Sequence, residues 1–299
     1  MRILVSGSTG LIGSALVKSL AGRGHEITRL VRPGRAVVPG SVMWDPTSGL
    51  LELKPLEGFD AVIHLAGENV AAQRWTPEQK RRIRDSRVRG TSLLCSRLKE
   101  LANPPAVAVL ASAVGYYGDR GDEELTEDAT PGDGFLADVT REWEEASAPL
   151  AHTSIREVRL RTGTVLSTGG GVLPRLLPLF KSGLGGTLGT GRQYMSWIAI
   201  DDLIGIIDFA MSGHSMSGAV NAVAPHPVTN REFTRALAKA LGRPALLAAP
   251  RFALRLISGE MADDLLLAST RAVPVKLIEA GYRFMHPELK SALDALFGK

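Results

Sequence analysis

The chain contains a single cysteine in 299 residues, which excludes an intramolecular disulfide and fits a reducing compartment. That residue, Cys95, lies in a helical pattern of apolar residues, so we interpret it as a small buried hydrophobe and not as a nucleophile. No apolar run approaches the ~18 residues of a membrane span, and a strand pattern begins at residue 2, where a signal peptide would lie. We therefore expect a soluble, cytoplasmic protein without a membrane contact.

Excess charge of one sign is also lacking. The 35 Lys and Arg residues against 31 Asp and Glu residues give a net charge of +4, which is too mild to require a nucleic-acid partner. The basic segment 80–89 has no interleaved aromatic residues to stack on bases. We interpret it as a solvated helix face with one or two arginines turned toward a small ligand. Neither a nucleic acid nor a metal is expected.

Three glycines near the N-terminus form a recognisable motif. An apolar strand pattern ends at Ser6, glycines follow at positions 7, 10 and 13, and a helical pattern begins at once. A strand, a glycine turn and a helix N-terminus together form a phosphate-binding site, because free N–H groups and the positive end of the helix dipole converge there. The alternative is an ordinary βα turn. The residues predicted to contact the phosphates are Gly7, Ser8, Thr9, Gly10, Leu11, Ile12 and Gly13.

The end of the second predicted strand indicates which dinucleotide is bound. An Asp or Glu about 20 residues beyond the glycine turn would bind the adenosine ribose hydroxyls of NAD. This chain has Arg32 and Arg35 there instead. A guanidinium can hold a 2′-phosphate by paired charge-assisted hydrogen bonds, whereas a carboxylate would repel it. NADP is therefore favoured, unless both arginines are merely solvated loop charges.

Strand patterns alternate with helical patterns from residue 2 to about residue 166, which predicts an α/β fold with a doubly wound parallel sheet. The strand at 59–67 ends in the small residues Ala66 and Gly67, over which a ligand can lie. We predict a dinucleotide-binding Rossmann domain at 1–166 plus about 196–223. A small, mostly helical C-terminal substrate lobe is predicted at 167–195 plus 224–299.

Several local features are expected within the second half of the chain. The glycine-rich segment 183–191 is predicted to be a flexible loop at the substrate rim. Asp201 or Asp202 is expected to cap a helix at 203–211, and Thr229 to begin a helix that ends before Gly242. Shorter helices are predicted at 252–257, 260–269 and 287–297.

These motifs resemble the extended short-chain dehydrogenase/reductase superfamily. Ser6-Gly-Ser-Thr-Gly-Leu-Ile-Gly13 is similar to its TGxxGxxG turn, and His64-Leu-Ala-Gly67 is similar to its HLAA stretch. Ala66-Gly-Glu-Asn-Val70, Ser112-Ala-Val-Gly-Tyr-Tyr-Gly118 and Gly259-Glu-Met-Ala262 resemble one branch, the epimerase family typified by YfcH. The likeness covers nearly the whole chain. It implies that NADP contacts, besides the glycine turn and Arg32, the residues His64, Leu65, Arg82, Arg87 and Arg161.

The superfamily's catalytic pair is missing. Its chemistry uses a tyrosine as acid/base with a lysine four residues later, and a serine or threonine that polarises the substrate oxygen. None of the four tyrosines of this chain begins a Tyr-x-x-x-Lys, and Phe135 and Val139 stand where the pair is expected. The resemblance then leaves Ser112 as the polarising hydroxyl and Tyr116 or Tyr117 as the substitute acid. Packing beside the nicotinamide is the alternative role for these tyrosines.

Two hypotheses follow for the function. The first is an NADP-dependent oxidoreductase or epimerase that acts on a small molecule bearing a hydroxyl or carbonyl group. The second is a non-enzymatic NADP(H)-binding redox sensor or regulatory protein, which the missing Tyr/Lys pair favours. The small-molecule substrate is not identified by the sequence, and a homodimer is left open.

Overall fold

A computed structural model describes residues 1–34, 40–213 and 216–298. Arg35, one of the predicted cofactor contacts, lies outside the described residues. In chain order the strands are β1 (Arg2–Ser6), β2 (Glu26–Val31), β3 (Val42–Asp45), β4 (Leu50–Leu51), β5 (Ala61–His64), β6 (Val107–Ala113), β7 (Glu124–Leu125), β8 (Arg156–Thr162), β9 (Thr164–Leu166), β10 (Gly186–Leu188), β11 (Tyr194–Met195), β12 (Trp197–Ala199), β13 (Gly218–Ala222), β14 (Val228–Thr229), β15 (Leu247–Ala249) and β16 (Arg271–Ala272). The helices are α1 (Leu11–Gly22), α2 (Pro77–Lys99), α3 (Phe135–Glu145), α4 (Leu173–Lys181), α5 (Ile200–Met211), α6 (Asn230–Leu241), α7 (Arg251–Ser258), α8 (Val275–Glu279) and α9 (Leu289–Phe297).

The main sheet has eight strands in the order β13-β8-β6-β5-β1-β2-β3-β4. Strand β1 pairs in parallel with β2 and β5, and the parallel pairing continues from β5 to β6 and from β2 to β3. The short edge strand β4 is antiparallel to β3. The predicted doubly wound parallel α/β sheet is confirmed apart from this edge strand, and the chain returns to the sheet late, as β13.

The chain divides into two compact units. The first comprises Met1–Ser112, Val139–Leu160 and Ile207–Ala219, and the second comprises Ala113–Asp138, Arg161–Ile206 and Val220–Lys299. Small two-stranded sheets (β9 with β12, β10 with β15, β11 with β14, β7 with β16) lie in the second unit. The domain limits predicted from the sequence, at residues 166, 196 and 223, stay a prediction.

The core of the first unit forms where parallel strands meet α2. Leu4 of β1 and Val62 of β5 pack in one cluster with Leu94 and Leu98 of α2, all four fully or almost fully buried. Cys95 belongs to the same cluster, and burial raises the pKa of its thiol. Cys95 is therefore the buried hydrophobe that the sequence predicts. Helix α2 begins at Pro77, and the Thr76 hydroxyl caps it by accepting from the Gln79 amide.

The second unit has its own core around Trp197, Phe233, Leu237 and Leu293. Helix α6 begins with a reciprocal capping box between Thr229 and Glu232. It ends at Leu241, and the C-cap residue Gly242 adopts the left-handed conformation at φ +63°. Both boundaries of α6 confirm the prediction. Among the described helices, none is both long and apolar enough to cross a bilayer.

Some local predictions are wrong. Helix α5 begins at Ile200, so Asp201 and Asp202 lie in its first turn and do not cap it. The Asp202 carboxylate is fully buried and instead accepts hydrogen bonds from the backbone amides of Met285 (2.7 Å) and His286 (2.9 Å). This carboxylate therefore anchors the C-terminal segment of the second unit.

The glycine-rich segment 183–191 is not a loop throughout, because residues 186–188 form β10 and pair in parallel with β15. A Cβ at Gly186 would lie 2.1 Å from the Leu247 carbonyl oxygen, so this glycine allows close pairing of two backbones. The helix predicted at 260–269 is confirmed in part, because residues 261–267 are helical and Asp263–Leu267 form a π-helical turn.

Candidate functional site

The glycine turn after β1 is held in one shape by contacts that exclude side chains. Gly7 has φ +69°, and a Cβ on it would lie 2.6 Å from the Leu65 carbonyl carbon. A Cβ at Gly13 would lie 2.2 Å from the Gly7 carbonyl oxygen. The Gly10 amide donates to the same oxygen at 3.0 Å, and Gly10 is the N-cap of α1 without a side-chain cap. This backbone cradle at an uncapped helix N-terminus fits a bound phosphate group.

Ser6 and His64 join the ends of β1 and β5 next to this cradle. The Ser6 hydroxyl oxygen lies 2.6 Å from His64 Nδ1 and accepts from the amides of Leu65 (3.1 Å) and Ala66 (3.3 Å). Because both lone pairs of the hydroxyl are used, its proton goes to Nδ1, and the neutral imidazole carries its own proton on Nε2. Burial lowers the pKa of His64 to about 4. His64 is thus a neutral residue that holds the Ser6 hydroxyl, and through it the backbone amides, in place, and it is not a base.

A cavity of about 760 Å³ opens over the carboxyl ends of β1, β2 and β5. Of the predicted cofactor contacts, it brings together Gly7, Ser8, Thr9, Gly10, Arg32, Leu65, Ala66, Gly67 and Arg82. The other predicted contacts within the described residues do not line it: Leu11, Ile12, Gly13, His64, Arg87 and Arg161. Its size and its place at the carboxyl edge of a parallel sheet match a nucleotide site.

Arg32 is the exposed arginine at the end of β2, on the wall of this cavity. In the described part of the chain its guanidinium forms neither an ion pair nor a hydrogen bond. The other three arginines of the cavity wall are engaged with neighbours on α2: Arg81 with Glu78, Arg89 with Asp85 and Arg82 with Gln79. Within the described residues, Arg32 is therefore the arginine of the cavity wall whose guanidinium is not bound to a neighbouring side chain.

Sequence reasoning missed much of the cavity wall. One face of α2 lines it, where the predicted Arg82 stands among five residues that were not predicted: Glu78, Arg81, Asp85, Ser86 and Arg89. These residues follow the helical spacing i, i+3, i+4, i+7, i+8, i+11, and that signal was available in the basic segment 80–89. The other missed residues are Leu30, Val31, Trp44, Pro46, Thr47 and Glu68. Trp44 lies on β3, far from the glycine turn in sequence.

Arg87 stands on α2 beside the end of β5. Its Nη1 donates to the backbone carbonyls of Glu68 (3.0 Å) and Ile83 (3.1 Å). The guanidinium carbon lies 4.9 Å from the ring centre of Trp143. A Cβ on Gly67 would lie 3.5 Å from the same guanidinium carbon. Burial lowers the pKa of Arg87 to about 10, although the negative charge of Glu68 acts in the opposite direction and raises it. The side chain still carries its charge at neutral pH.

Ser112, the predicted polarising hydroxyl, is 4% exposed and donates to Glu144 Oε1 at 2.6 Å. Glu144 is also buried, and Arg159 Nη1 lies 3.9 Å from its second carboxylate oxygen. A hydroxyl whose proton is held by a buried carboxylate has none left for a substrate oxygen. This arrangement favours a structural role for Ser112, while its catalytic assignment stays a prediction.

The two tyrosines and Arg161 form a cluster of their own in the second unit. The Tyr117 hydroxyl is fully buried, lies 2.7 Å from Asn221 Oδ1 and accepts from Arg161 Nη1 at 3.0 Å. Burial raises the pKa of Tyr117 to about 12. Arg161 lies 3.6 Å above the ring of Tyr116, which is only partly buried. A structural role is favoured for Tyr117, and Tyr116 is the less buried of the two tyrosines.

A glycine-turn cavity at the carboxyl edge of a mostly parallel α/β sheet defines a dinucleotide-binding protein. Comparison with known proteins gives the family. Residues 3–222 match the model of the NAD dependent epimerase/dehydratase family, and residues 249–296 match a domain of unknown function, DUF1731. The chain belongs to the NAD dependent epimerase/dehydratase family.

Relatives are similar over almost their whole length. The chain is 42% identical to the epimerase family protein MT2273 of Mycobacterium tuberculosis, over 97% of this chain and 96% of the relative. It is 40% identical to the mouse epimerase family protein SDR39U1, over 98% of each chain. The crystal structure of human SDR39U1 (isoform 2) with NADPH matches with a TM-score of 0.91 and 36% identity, over 100% of both chains.

Proposed function

We propose that this protein binds NADP(H) in the cavity over β1, β2 and β5. The observation that carries the proposal is Arg32, an exposed arginine without a described partner at the strand end where an NAD-binding protein would place a carboxylate. The structure of the human relative with NADPH supports the same cofactor. By this proposal the Arg32 guanidinium binds the 2′-phosphate of the adenosine ribose.

The remaining contacts follow from the backbone. The amides at the N-terminus of α1 and in the Gly7–Gly10 turn are placed to bind the pyrophosphate. Gly7 and Gly13 keep side chains out of that space, and the Ser6–His64 pair holds the amides of Leu65 and Ala66 in position. The bound cofactor supplies or accepts a hydride at the nicotinamide ring.

For the chemistry, we propose an NADP-dependent oxidoreductase or epimerase that acts on a hydroxyl or carbonyl group of a small molecule. Membership of the epimerase/dehydratase family supports this reading. Of the three candidate groups, the partly buried Tyr116 is the one left to donate a proton, because the hydroxyls of Ser112 and Tyr117 are held inside the protein.

The second candidate function is a non-enzymatic NADP(H)-binding sensor or regulator. A specific observation favours it: Ser112 donates to Glu144, Tyr117 is enclosed by Asn221 and Arg161, and Val139 occupies the lysine position. With these groups engaged, hydride transfer would lack the usual proton partners.

A turnover screen separates the two candidates. Purified protein is mixed with NADPH and a panel of aldehydes, ketones and dicarbonyls, and NADPH absorbance is followed for the wild type and for Ser112→Ala, Tyr116→Phe and Tyr117→Phe. The oxidoreductase proposal predicts turnover by the wild type that Tyr116→Phe lowers about 100-fold or more. Tight NADPH binding without turnover on any compound supports the sensor, and turnover that all three variants retain removes these residues as catalysts.

A further inference from the structure

Helix α7 of the second unit carries large apolar side chains on its outer side. Phe252, Leu256 and Ile257, which we call the α7 face, are 74%, 77% and 71% exposed. They belong to a stretch, residues 246–257, that holds five of the twelve large apolar side chains exposed in the described part of the chain. Single exposed apolar residues are normal in soluble proteins, whereas a concentration of them marks a surface that a partner covers.

The α7 face is not the side by which the helix packs on its own unit. Phe252 and Leu256 are about one helical turn apart and share a face, while Leu254 lies about 200° around the helix from Phe252. Leu254 is buried in a cluster with Ala262 and Leu267. The helix is therefore held in place from the opposite side, and the α7 face projects away from the unit.

Positive charge accompanies the α7 face. Residues 233–259 contain five Lys and Arg residues and no Asp or Glu. Two of the five, Arg251 and Arg255, lie on α7, and both pair with the carboxylate of Asp263, at 3.8 and 2.9 Å. Two cations that share one carboxylate leave an excess of positive charge on that flank of the helix. The next carboxylate in the sequence, Glu260, comes after the helix has ended.

A second segment of the same character adjoins this one. Strand β10 pairs with β15, which leads into α7 through Pro250. The segment from α4 to β10, residues 173–188, contains Arg175 and Lys181 and no Asp or Glu. It also exposes two large apolar side chains, Leu179 and Leu184. Both segments thus combine exposed apolar side chains with charge of one sign.

The charge and the shape of this surface decide which partner fits it. A second copy of the chain would bring the same positive charge, which opposes the pairing of two such faces. Another protein would need a groove matched to each of three side chains that project by more than 70% of their surface. A lipid surface needs no matched groove, because it accepts apolar side chains between its headgroups, and anionic headgroups attract the flanking arginines.

We propose that the α7 face docks the protein on an anionic phospholipid surface. Helix α7 then lies along the surface with its apolar side chains inserted among the headgroups, while Arg251 and Arg255 bind the lipid phosphates. The lack of a long apolar run excludes a helix that crosses a bilayer but not a helix that lies against one. The proposal goes beyond cofactor binding, since none of the described residues that line the nucleotide cavity belongs to α7.

Co-sedimentation of the full chain with lipid vesicles tests the proposal. We expect the wild type to bind vesicles of phosphatidylglycerol and phosphatidylcholine in equal amounts about 10-fold or more tightly than vesicles of phosphatidylcholine alone. The double variant Phe252→Ser with Leu256→Ser should bind the anionic vesicles about 10-fold or more weakly, because two apolar side chains no longer insert. Ile278→Ser is the matched control, since Ile278 is an exposed apolar residue on α8, and it should bind like the wild type.

A second double variant, Arg251→Gln with Arg255→Gln, tests the charge. It should weaken binding to the anionic vesicles about 10-fold and leave binding to phosphatidylcholine unchanged. Urea unfolding midpoints of all variants should equal that of the wild type, because the replaced side chains are exposed.

A wild type that sediments with neither kind of vesicle, or anionic binding that Phe252→Ser with Leu256→Ser retains, would overturn the proposal. A dimer that forms without lipid and that this double variant dissolves would assign the α7 face to a second copy instead. NADPH affinity is measured on the same samples, so that failure of the proposed cofactor site is seen separately.

Discussion

The buried histidine beside the glycine turn should make the protein acid-sensitive. Burial lowers the pKa of His64 to about 4 in the folded protein, from 6.5 for an ordinary histidine. The unfolded chain therefore takes up a proton at a higher pH than the folded protein does. The contribution to stability is full above pH 6.5 and is lost as the pH falls from 6.5 toward 4.

The size of the effect follows from the two pKa values. At pH 5 the unfolded histidine is almost fully protonated and the folded one almost fully neutral, which lowers the free energy of unfolding by about 2 kcal/mol relative to pH 8. At pH 6 the loss is about 1 kcal/mol. One residue thus removes a sizeable share of the ~5–15 kcal/mol that stabilises a typical domain.

Urea unfolding at pH 8, 6 and 5 measures this loss. The variant His64→Asn offers an amide oxygen to the Ser6 hydroxyl in place of Nδ1 but does not titrate, so its stability should fall about 2 kcal/mol less than that of the wild type between pH 8 and pH 5. His152→Asn is the control, because His152 is exposed, and its profile should match the wild type. Parallel profiles for wild type and His64→Asn would refute the reasoning.

Two further substitutions test the glycine turn and the C-terminal anchor. Gly13→Ala should abolish NADPH binding in a calorimetric titration, because its Cβ would meet the Gly7 carbonyl oxygen at 2.2 Å, whereas Gly22→Ala on the same helix has nothing within 4 Å and should bind normally; equal binding by the two variants would contradict the role of the turn. Asp202→Asn replaces one of the two carboxylate oxygens that accept hydrogen bonds from backbone amides. It should lower the free energy of unfolding, measured by urea denaturation, by about 1–3 kcal/mol. An unchanged unfolding midpoint would show that this carboxylate does not hold the C-terminal segment.

The parts of the fold that local chemistry controls could be predicted from the sequence. The strand and glycine turn before α1, the start of α6 after Thr229 and its end before Gly242 depend on neighbouring residues, and the structure has them at the expected positions. The doubly wound sheet follows from the alternation of strands and helices.

The local predictions that failed concern residues whose partners are distant in the sequence. Asp202 has the pattern of a helix cap, but its acceptor oxygens are used by amides more than 80 residues away. Gly186 belongs to a glycine-rich segment that looks like a loop, and it pairs with Leu247 because only a glycine permits that approach. The local sequence pattern around Asp202 or Gly186 does not identify its distant partner.

The same limit applies to the candidate site. The glycine turn and Arg32 could be identified because motif and strand end lie close together in sequence. The hydroxyl of Ser112 is held by Glu144, 32 residues away, and that of Tyr117 by Asn221, 104 residues away. A sequence shows that such hydroxyls exist but not that they are already engaged.

The most direct measurement is the affinity of the wild type and of Arg32→Ala for NADPH and NADH. Trp44 lines the cavity, so quenching of tryptophan fluorescence reports binding of either nucleotide. The wild type should bind NADPH about 10-fold or more tightly than NADH, and Arg32→Ala should lose that preference while its affinity for NADH is unchanged. Equal affinities of the wild type for the two nucleotides would contradict the assignment of this cavity to NADP(H).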